Sequence, residues 1–149
     1  MKVSDAMTRD VQMTTPEKSI REAAAVMAAG DFGSLPVGDR DRLVGMITDR
    51  DIVVRGVALG KPPETRVREL MSHTLQYCHA DDLLEDVARK FAARQLRRLP
   101  VVDDDMHLVG ILSLADVALR GTATSVGEAV KEISQPDAAP SAGTSPSRS

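Results

Sequence analysis

The sequence is poor in aromatic residues: its 149 positions hold two phenylalanines, one tyrosine and no tryptophan. A hydrophobic core must therefore be filled mainly by alanine, valine, leucine and methionine. The scarcity of aromatics also argues against a surface that binds nucleic acid by stacking bases. With 19 basic and 22 acidic residues, the formal net charge of −3 gives no general affinity for nucleic acid either.

Other absences narrow the class of protein. Cys78 is the only cysteine, so no intrachain disulfide can form. No segment approaches the roughly 20 apolar residues of a membrane helix, and the N-terminus lacks the apolar run of a secretory signal. We therefore expect a cytoplasmic protein without membrane contact. We also predict no metal site, because no His-x-x-x-His or Cys-x-x-Cys pair occurs and the acidic run Asp103–Asp105 is explained by a turn.

The sequence does contain an internal duplication. A shift of 64 residues aligns Leu35–Val37 with Leu99–Val101, both reading Leu-Pro-Val. After a one-residue insertion in a turn, the shift becomes 65 and aligns Gly45–Asp51 with Gly110–Asp116. Both of these segments read Gly, two apolar residues, a hydroxyl, two variable positions and Asp. Two copies indicate a duplicated domain rather than a solenoid, which needs at least three repeats.

Each copy predicts the same order of elements: strand, helix, strand, strand, helix. Apolar residues recur at helical spacing in the first helix of both copies, and two short apolar runs around a polar turn then predict a hairpin. A unit of about 60 residues buries little core by itself. We therefore predict an α+β fold in which the sheets of two such repeats pack together with pseudo-twofold symmetry.

The duplication also predicts the domain boundaries. The first repeat covers residues 1–59, a linker covers 60–66 and the second repeat covers 67–121. We expect a short C-terminal helix within residues 122–133. Residues 134–149, rich in Ser, Pro, Ala and Gly, predict a disordered tail.

Local signals predict where the elements begin and end. Ser19 with Glu22, and Asp82 with Glu85, are spaced as capping boxes for the first helix of each repeat. Gly30 is expected to end the first of these helices. The remaining predicted elements are strands over Val11–Met13 and Leu75–Cys78 and helices over Asp49–Leu59 and Leu114–Arg120.

A hydroxyl and a carboxylate recur three residues apart, as Thr48 with Asp51 and Ser113 with Asp116. At a strand-to-helix junction, both groups can point into one cleft. A carboxylate can accept hydrogen bonds from two ribose hydroxyls, and a helix N-terminus offers N–H groups to phosphate. Helix capping is the simpler explanation for one such motif. Its recurrence within the duplicated pattern favours ligand contact.

Taken together, these motifs resemble the cystathionine β-synthase (CBS) domain, here as the tandem pair called a Bateman module. The resemblance covers about residues 1–121 and includes the Val-x-Asp/Glu-x-Met openings at Val3–Met7 and Val67–Met71. The segment Thr48–Gly56 is most similar to small stand-alone bacterial members. The resemblance implies a regulatory homodimer that requires no cofactor and binds AMP, ADP or ATP, with NAD(H), S-adenosylmethionine or cyclic dinucleotides as further candidates.

The resemblance also implies roles for three residues of each repeat. An aspartate binds ribose, a hydroxyl lies near the ribose or phosphate, and the backbone beside a proline contacts adenine. These residues are Asp51, Thr48 and Pro36 in the first repeat and Asp116, Ser113 and Pro100 in the second.

Arg97 and Arg98 precede the second Leu-Pro-Val strand, where many nucleotide-binding relatives carry basic residues for phosphate. Their counterparts in the first repeat are Gly33 and Ser34. We therefore expect one phosphate-binding site, with the other cleft empty or limited to adenosine. A solvated surface remains the alternative explanation for the two arginines.

Four functions follow from these patterns, in order of preference. The first is a nucleotide sensor that signals to an unidentified partner protein by changing conformation. The second is a ligand-free structural or interaction dimer with vestigial clefts. Nucleic-acid binding, which would rest on the basic cluster within Arg89–Arg98, is disfavoured by composition. An enzyme comes last, because no nucleophile lies near a base and an orienting group.

Overall fold

The computed structural model describes residues 1–120. The predicted helix within 122–133 and tail over 134–149 lie outside the described residues. The helices are α1 (Val3–Ala6), α2 (Ile20–Gly30), α3 (Val67–Leu70), α4 (Leu84–Arg94) and α5 (Leu114–Arg120). The strands are β1 (Ser34–Asp39), β2 (Arg42–Thr48), β3 (Cys78–His79), β4 (Arg98–Val102) and β5 (Leu108–Ser113). The α+β fold is thus confirmed.

The chain forms two compact units, each built around the hairpin of one repeat. Gln12–Leu75 forms the first-repeat unit, and Met1–Val11 with residues 76–120 forms the second-repeat unit. The opening segment of each repeat therefore packs with the hairpin of the other repeat. The boundaries 1–59, 60–66 and 67–121 describe the sequence repeats and stay a prediction.

In the first-repeat unit, β1 and β2 pair in antiparallel register with Leu35 opposite Ile47. Thr14 adds a single parallel bridge to Val37. The apolar stripe of α2 contributes to the core of this unit. That core consists of Ile20, Ala23, Met27, Leu35, Val37, Ile47, Val67, Leu70 and Met71.

In the second-repeat unit, the sheet order is β3-β4-β5, with β3 parallel to β4 and β5 antiparallel to it. Phe91 is the only buried aromatic residue of the described chain, so the core is aliphatic apart from one ring, as the composition predicts. The core consists of Val3, Ala6, Cys78, Leu84, Val87, Ala88, Phe91, Leu99, Val101, Leu112 and Val117.

Backbone hydrogen bonds hold each opening segment against the hairpin of the other repeat. Met46 and Ser72 each donate an N–H to the other's carbonyl, at 3.0 and 2.8 Å. In the second-repeat unit, Thr8 and Ile111 do the same at 2.8 and 2.9 Å. Each bridge attaches the chain that follows a Val-x-Asp/Glu-x-Met motif to the middle of a hairpin strand.

The motif glycines make this close approach possible. A Cβ on Gly45 would lie 2.6 Å from the Ser72 carbonyl oxygen, a distance at which one of the two must move. A Cβ on Gly110 would lie 2.5 Å from the Met7 sulfur and 3.0 Å from the Thr8 carbonyl oxygen. The glycine that opens each Gly-h-h-Thr/Ser-x-x-Asp motif is therefore needed for packing.

The two predicted capping boxes have different outcomes. The Glu22 N–H donates to the Ser19 hydroxyl at 3.0 Å, and the Ser19 N–H donates to the Glu22 carboxylate at 3.0 Å, which confirms the first. The hydrogen bond from the Ser19 N–H to the carboxylate holds the pKa of Glu22 below its usual value. The second prediction is wrong: α4 is preceded by Leu83, which makes no side-chain cap, and Asp82 accepts the His79 N–H at 2.9 Å. Asp82 lies one residue too early to cap α4.

Two further local predictions are confirmed in position, and a third element differs from its prediction in helix type. Gly30 ends α2, and α5 has the predicted bounds Leu114–Arg120. The predicted helix Asp49–Leu59 contains a π-helical segment at Asp51–Gly56 and a 3₁₀ turn at Val57–Leu59, which an apolar pattern this short does not distinguish from an α-helix.

Both predicted opening strands were misplaced. Val11–Met13 forms no strand, because only the next residue, Thr14, pairs with β1. In the second repeat, pairing is confined to β3 at Cys78–His79, at the end of the predicted Leu75–Cys78. Among residues 1–120, no helix has the length and apolar character required to cross a membrane.

Candidate functional site

The first hydroxyl–carboxylate pair lies where β2 passes into the following helix. The Thr48 N–H donates to the Asp51 carboxylate at 2.9 Å, and the Asp51 N–H donates to the Thr48 hydroxyl at 3.0 Å. Both residues are half-buried. The second carboxylate oxygen of Asp51 lies 3.6 Å from a guanidinium nitrogen of Arg55. The pair therefore closes a capping box and keeps one carboxylate oxygen beside a cation.

The second pair repeats this geometry where β5 passes into α5. The Ser113 N–H donates to the Asp116 carboxylate at 3.0 Å, and the Asp116 N–H donates to the Ser113 hydroxyl at 3.0 Å. Both residues are again half-buried. The capping role that the sequence left open is thus present in both repeats. Ligand contact by the same residues stays a prediction.

The two prolines lie inside their hairpins. Pro36 pairs with Met46, and Pro100 pairs with Ile111. In each hairpin the register shifts after the next residue, Val37 or Val101. Both prolines are buried. The Pro36 carbonyl accepts the Thr14 N–H at 3.0 Å. Their predicted contact with a base is untested.

The two arginines differ in environment. Arg97 is exposed, and its carbonyl accepts the Leu114 N–H at 2.8 Å, which places it directly beside the Ser113–Asp116 turn. Arg98 is half-buried, and burial lowers the pKa of its guanidinium from the ordinary value. A guanidinium remains charged at neutral pH even so. The structure thus places two cations at the start of β4, close to the second pair.

At Gly33, the counterpart of Arg97 in the first repeat, the structure shows a carboxylate that the sequence motifs did not identify. The Gly33 carbonyl accepts the Asp49 N–H at 2.9 Å, and a Cβ on Gly33 would lie 2.8 Å from a carboxylate oxygen of Asp49. Asp49 occupies one of the two variable positions of the motif, where the second repeat has Leu114. The sequence carried one signal of this carboxylate, since Asp49 is charged and the aligned Leu114 is not.

Asp49 also lines a cavity of about 280 Å³ in the first-repeat unit. Asp31 lies in the same lining, and the remaining walls are largely apolar, with Met27, Phe32 and Ile52 among them. The counterpart of Asp31 in the second repeat is Gln95. The first repeat therefore carries a more acidic environment at this end of its hairpin.

Cys78 does not form a nucleophilic centre. Its side chain is buried, and desolvation, together with the nearby charge of Asp82, raises the pKa of the thiol to about 12. The neighbouring His79 ring packs edge-on against Tyr77, with a centroid distance of 5.6 Å. The thiol is therefore protonated at neutral pH and serves as a core side chain.

The described residues hold one group of three side chains that could together approach a metal ion, namely Asp103, Asp105 and His107. Their ligand atoms lie within 4.8 Å of one another. One carboxylate oxygen of Asp103 already accepts the N–H groups of Asp105 and His107, each at 2.9 Å, and these bonds lower the pKa of Asp103. These bonds hold the hairpin turn that the sequence predicts for this acidic run.

The fold and the twin pairs define a class of protein: a tandem α+β module with one hydroxyl–carboxylate junction in each repeat. Comparison with protein families identifies the class, because the family model of the CBS domain matches residues 3–56 and 67–122. The chain belongs to the CBS-domain family and carries two CBS domains.

Several relatives are similar over nearly their whole length. The CBS domain-containing protein YhcV of Bacillus subtilis is 41% identical over 133 residues, which cover 89% of this chain and 94% of YhcV. The crystal structure of Hypoxic Response Protein I with two coordinated zinc ions is similar with a TM-score of 0.72 and 35% identity, covering 82% of this chain and 100% of that one. The match with each of these two proteins thus extends over nearly its whole length.

A second similar structure contains a nucleotide. The crystal structure of CBSX2 in complex with AMP has a TM-score of 0.68 and 29% identity, and the match covers 79% of this chain and 93% of that chain. A CBS pair of this fold is therefore able to bind an adenosyl nucleotide.

Proposed function

We propose that this protein is a regulatory module that binds an adenosyl nucleotide and signals to a partner protein through a change in conformation. AMP, ADP and ATP are the first candidate ligands, and NAD(H) and S-adenosylmethionine are the next. The protein acts in the cytoplasm as a homodimer and performs no catalysis.

The observation that carries the proposal is the repeated junction itself. Thr48 with Asp51 and Ser113 with Asp116 hold the same reciprocal hydrogen bonds, each between 2.9 and 3.0 Å. In this arrangement the carboxylate is fixed at the end of a strand, ready to accept ribose hydroxyls through its second oxygen. A carboxylate forms stronger hydrogen bonds than a neutral acceptor, and ordering it in advance lowers the entropic cost of binding.

The AMP complex of CBSX2 and the cations at the start of β4 support the choice of ligand. Arg97 and Arg98 are placed beside the Ser113–Asp116 junction, where phosphate groups attached to a bound ribose would be attracted to them. A ligand can shift a conformational equilibrium only by its difference in affinity for the two states. Signalling therefore requires that the nucleotide bind one conformation more tightly than the other.

A thermal-shift screen of the full chain against AMP, ADP, ATP, NAD, NADH and S-adenosylmethionine tests this proposal. A ligand at 100 times its dissociation constant should stabilise the fold by about 2.7 kcal/mol. A concentration-dependent rise in Tm that disappears in Asp116→Asn supports nucleotide sensing. The proposal fails if none of the ligands changes Tm at millimolar concentration.

A second function, an interaction dimer without ligand, is favoured by one specific observation. Large apolar side chains are exposed around the helical segment Asp51–Gly56 and the turn that follows it: Val53 is 56% exposed, Val57 66% and Leu59 69%. Apolar side chains grouped on a surface often mark a contact with another protein chain. Sedimentation of the wild type and of Val57→Asp, with and without AMP, separates the two functions. A dimer that depends on Val57 and is indifferent to every nucleotide would favour the second.

A further inference from the structure

The two repeats share one backbone hydrogen bond but carry different side chains beside it. The Gly33 carbonyl accepts the Asp49 N–H at 2.9 Å in the first repeat, and the Arg97 carbonyl accepts the Leu114 N–H at 2.8 Å in the second. Residue 33 thus corresponds to residue 97 in structure as well as in sequence. Each of these bonds lies one residue beyond the hydroxyl of the junction pair.

The space beside this bond is used differently in the two repeats. In the first, the Asp49 carboxylate lies over Gly33, with one oxygen 2.8 Å and the other 3.2 Å from the place where a Cβ would stand. In the second, Arg97 has a side chain there, and Leu114 packs against the core instead of presenting a charge. The first repeat therefore presents a carboxylate where the second presents an arginine.

The surrounding charges reinforce this difference. In the first repeat, Asp31 and Asp49 line one cavity, and Asp51 is the junction carboxylate. The counterparts in the second repeat are Gln95, Leu114 and Asp116, so that only one carboxylate remains.

Two arginines, Arg50 and Arg55, follow Asp49 closely in the first repeat. Arg50 is exposed in the junction. Arg55 lies 3.6 Å from the Asp51 carboxylate, so part of the positive charge of Arg55 is already compensated. Gly33 and Ser34 stand where the second repeat has two arginines. A phosphate with up to two negative charges would be repelled by Asp49 here and attracted by Arg97 in the second repeat.

We propose that Asp49 excludes phosphate from the first repeat, so that each chain has one phosphate-selective site, at Ser113, Asp116 and Arg97, and a first-repeat cleft that accepts at most an uncharged nucleoside. This inference rests on the proposed nucleotide-binding function and specifies which repeat binds which ligand class. Asp49 is a specificity-determining residue that acts by repulsion.

Isothermal titration calorimetry of the full chain with adenosine, AMP and ADP tests the inference. We expect one site per chain whose affinity rises at least about tenfold from adenosine to AMP. The double variant Gly33→Arg/Asp49→Leu installs the second-repeat residues in the first repeat and should create a second AMP site per chain. Arg97→Gly changes an exposed residue and should lower AMP affinity at least about tenfold, with adenosine affinity unchanged within about twofold.

Arg50→Ala is the matched control, because it removes the first repeat's exposed arginine beside Asp49; AMP affinity should stay within about twofold. Circular dichroism and Tm establish that each variant is folded. Two phosphate-dependent sites in the wild type, a folded double variant with no added site, or loss of AMP binding in Arg50→Ala would overturn this inference while leaving nucleotide binding intact. Absence of binding by all three ligands would overturn this inference, and the thermal-shift screen with ATP, NAD, NADH and S-adenosylmethionine then decides whether the nucleotide-binding function fails as well.

Discussion

The carboxylate of Asp116 accepts the Ser113 N–H at 3.0 Å while the Asp116 N–H donates to the Ser113 hydroxyl at 3.0 Å. Thr48 and Asp51 are bonded in the same way. Each pair caps the helical segment that follows it. The same aspartate is predicted to bind ribose, and the same hydroxyl is predicted to lie near the ribose or phosphate. Mutations at these positions must therefore separate a structural role from a binding role.

Asp116→Asn makes this separation. The amide oxygen still accepts the Ser113 N–H, so we expect unfolding free energy to change by less than about 1 kcal/mol. Loss of the charge removes the strong acceptor for ribose, and adenosyl affinity should fall about tenfold or more. Urea unfolding and calorimetry measure the two effects. Asp116→Ala, which removes cap and acceptor together, is the comparison; unchanged affinity in both variants would exclude Asp116 from the site.

Gly45→Ala should destabilise the first-repeat unit by about 1–3 kcal/mol, because its methyl group would stand 2.6 Å from a backbone oxygen held in a hydrogen bond to Met46. Gly110→Ala meets the flexible end of Met7 first, so we expect a smaller loss. Chemical denaturation of both variants checks the order. If the two alanines cost the same, the rigid Ser72 carbonyl is not the cause.

Thr14→Val should stabilise the protein by about 1 kcal/mol. Thr14 is 2% exposed, and its hydroxyl has no hydrogen-bond partner within residues 1–120. Valine keeps the shape and removes the unpaired oxygen. Thr14→Ser keeps the oxygen and loses a methyl group, and so should destabilise. The explanation is wrong if valine lowers the midpoint of urea unfolding.

The Cys78 thiol should react with a disulfide reagent at pH 8 at least about a thousandfold more slowly in the folded protein than in urea. Its pKa of about 12 leaves few thiolates, and its burial restricts access. Absorbance of the released thiol follows the rate. Comparable rates in the folded and unfolded chains would mean that the second-repeat core opens readily.

Much of the local structure could be predicted because its signals lie within a few residues. Ser19 and Glu22 form the expected cap, and both hairpins pair as the apolar runs indicate. Asp82 shows the limit of such signals. A helix start can shift by one residue within the same pattern, and Leu83 then takes the cap position without a capping side chain.

The candidate site was predictable to the same extent. The duplication identified both hydroxyl–carboxylate pairs and the contrast of Arg97 with Gly33. It did not identify Asp49, because the difference in charge between Asp49 and Leu114 has no evident meaning until the neighbour of Asp49 in space is known. Only the fold places the Asp49 carboxylate against Gly33.

The sequence by itself determined that the protein contains two copies of one α+β unit, an aliphatic core and a polar pair at the same junction in each copy. Tertiary structure alone decided that each opening segment packs with the hairpin of the other repeat. The openings Val3–Met7 and Val67–Met71 have the same apolar pattern, and Gly45 and Gly110 leave the same space for either of them. Local patterns therefore do not distinguish this arrangement from one in which each opening segment packs with the hairpin of its own repeat. The two arrangements differ only in the path of the chain between distant segments.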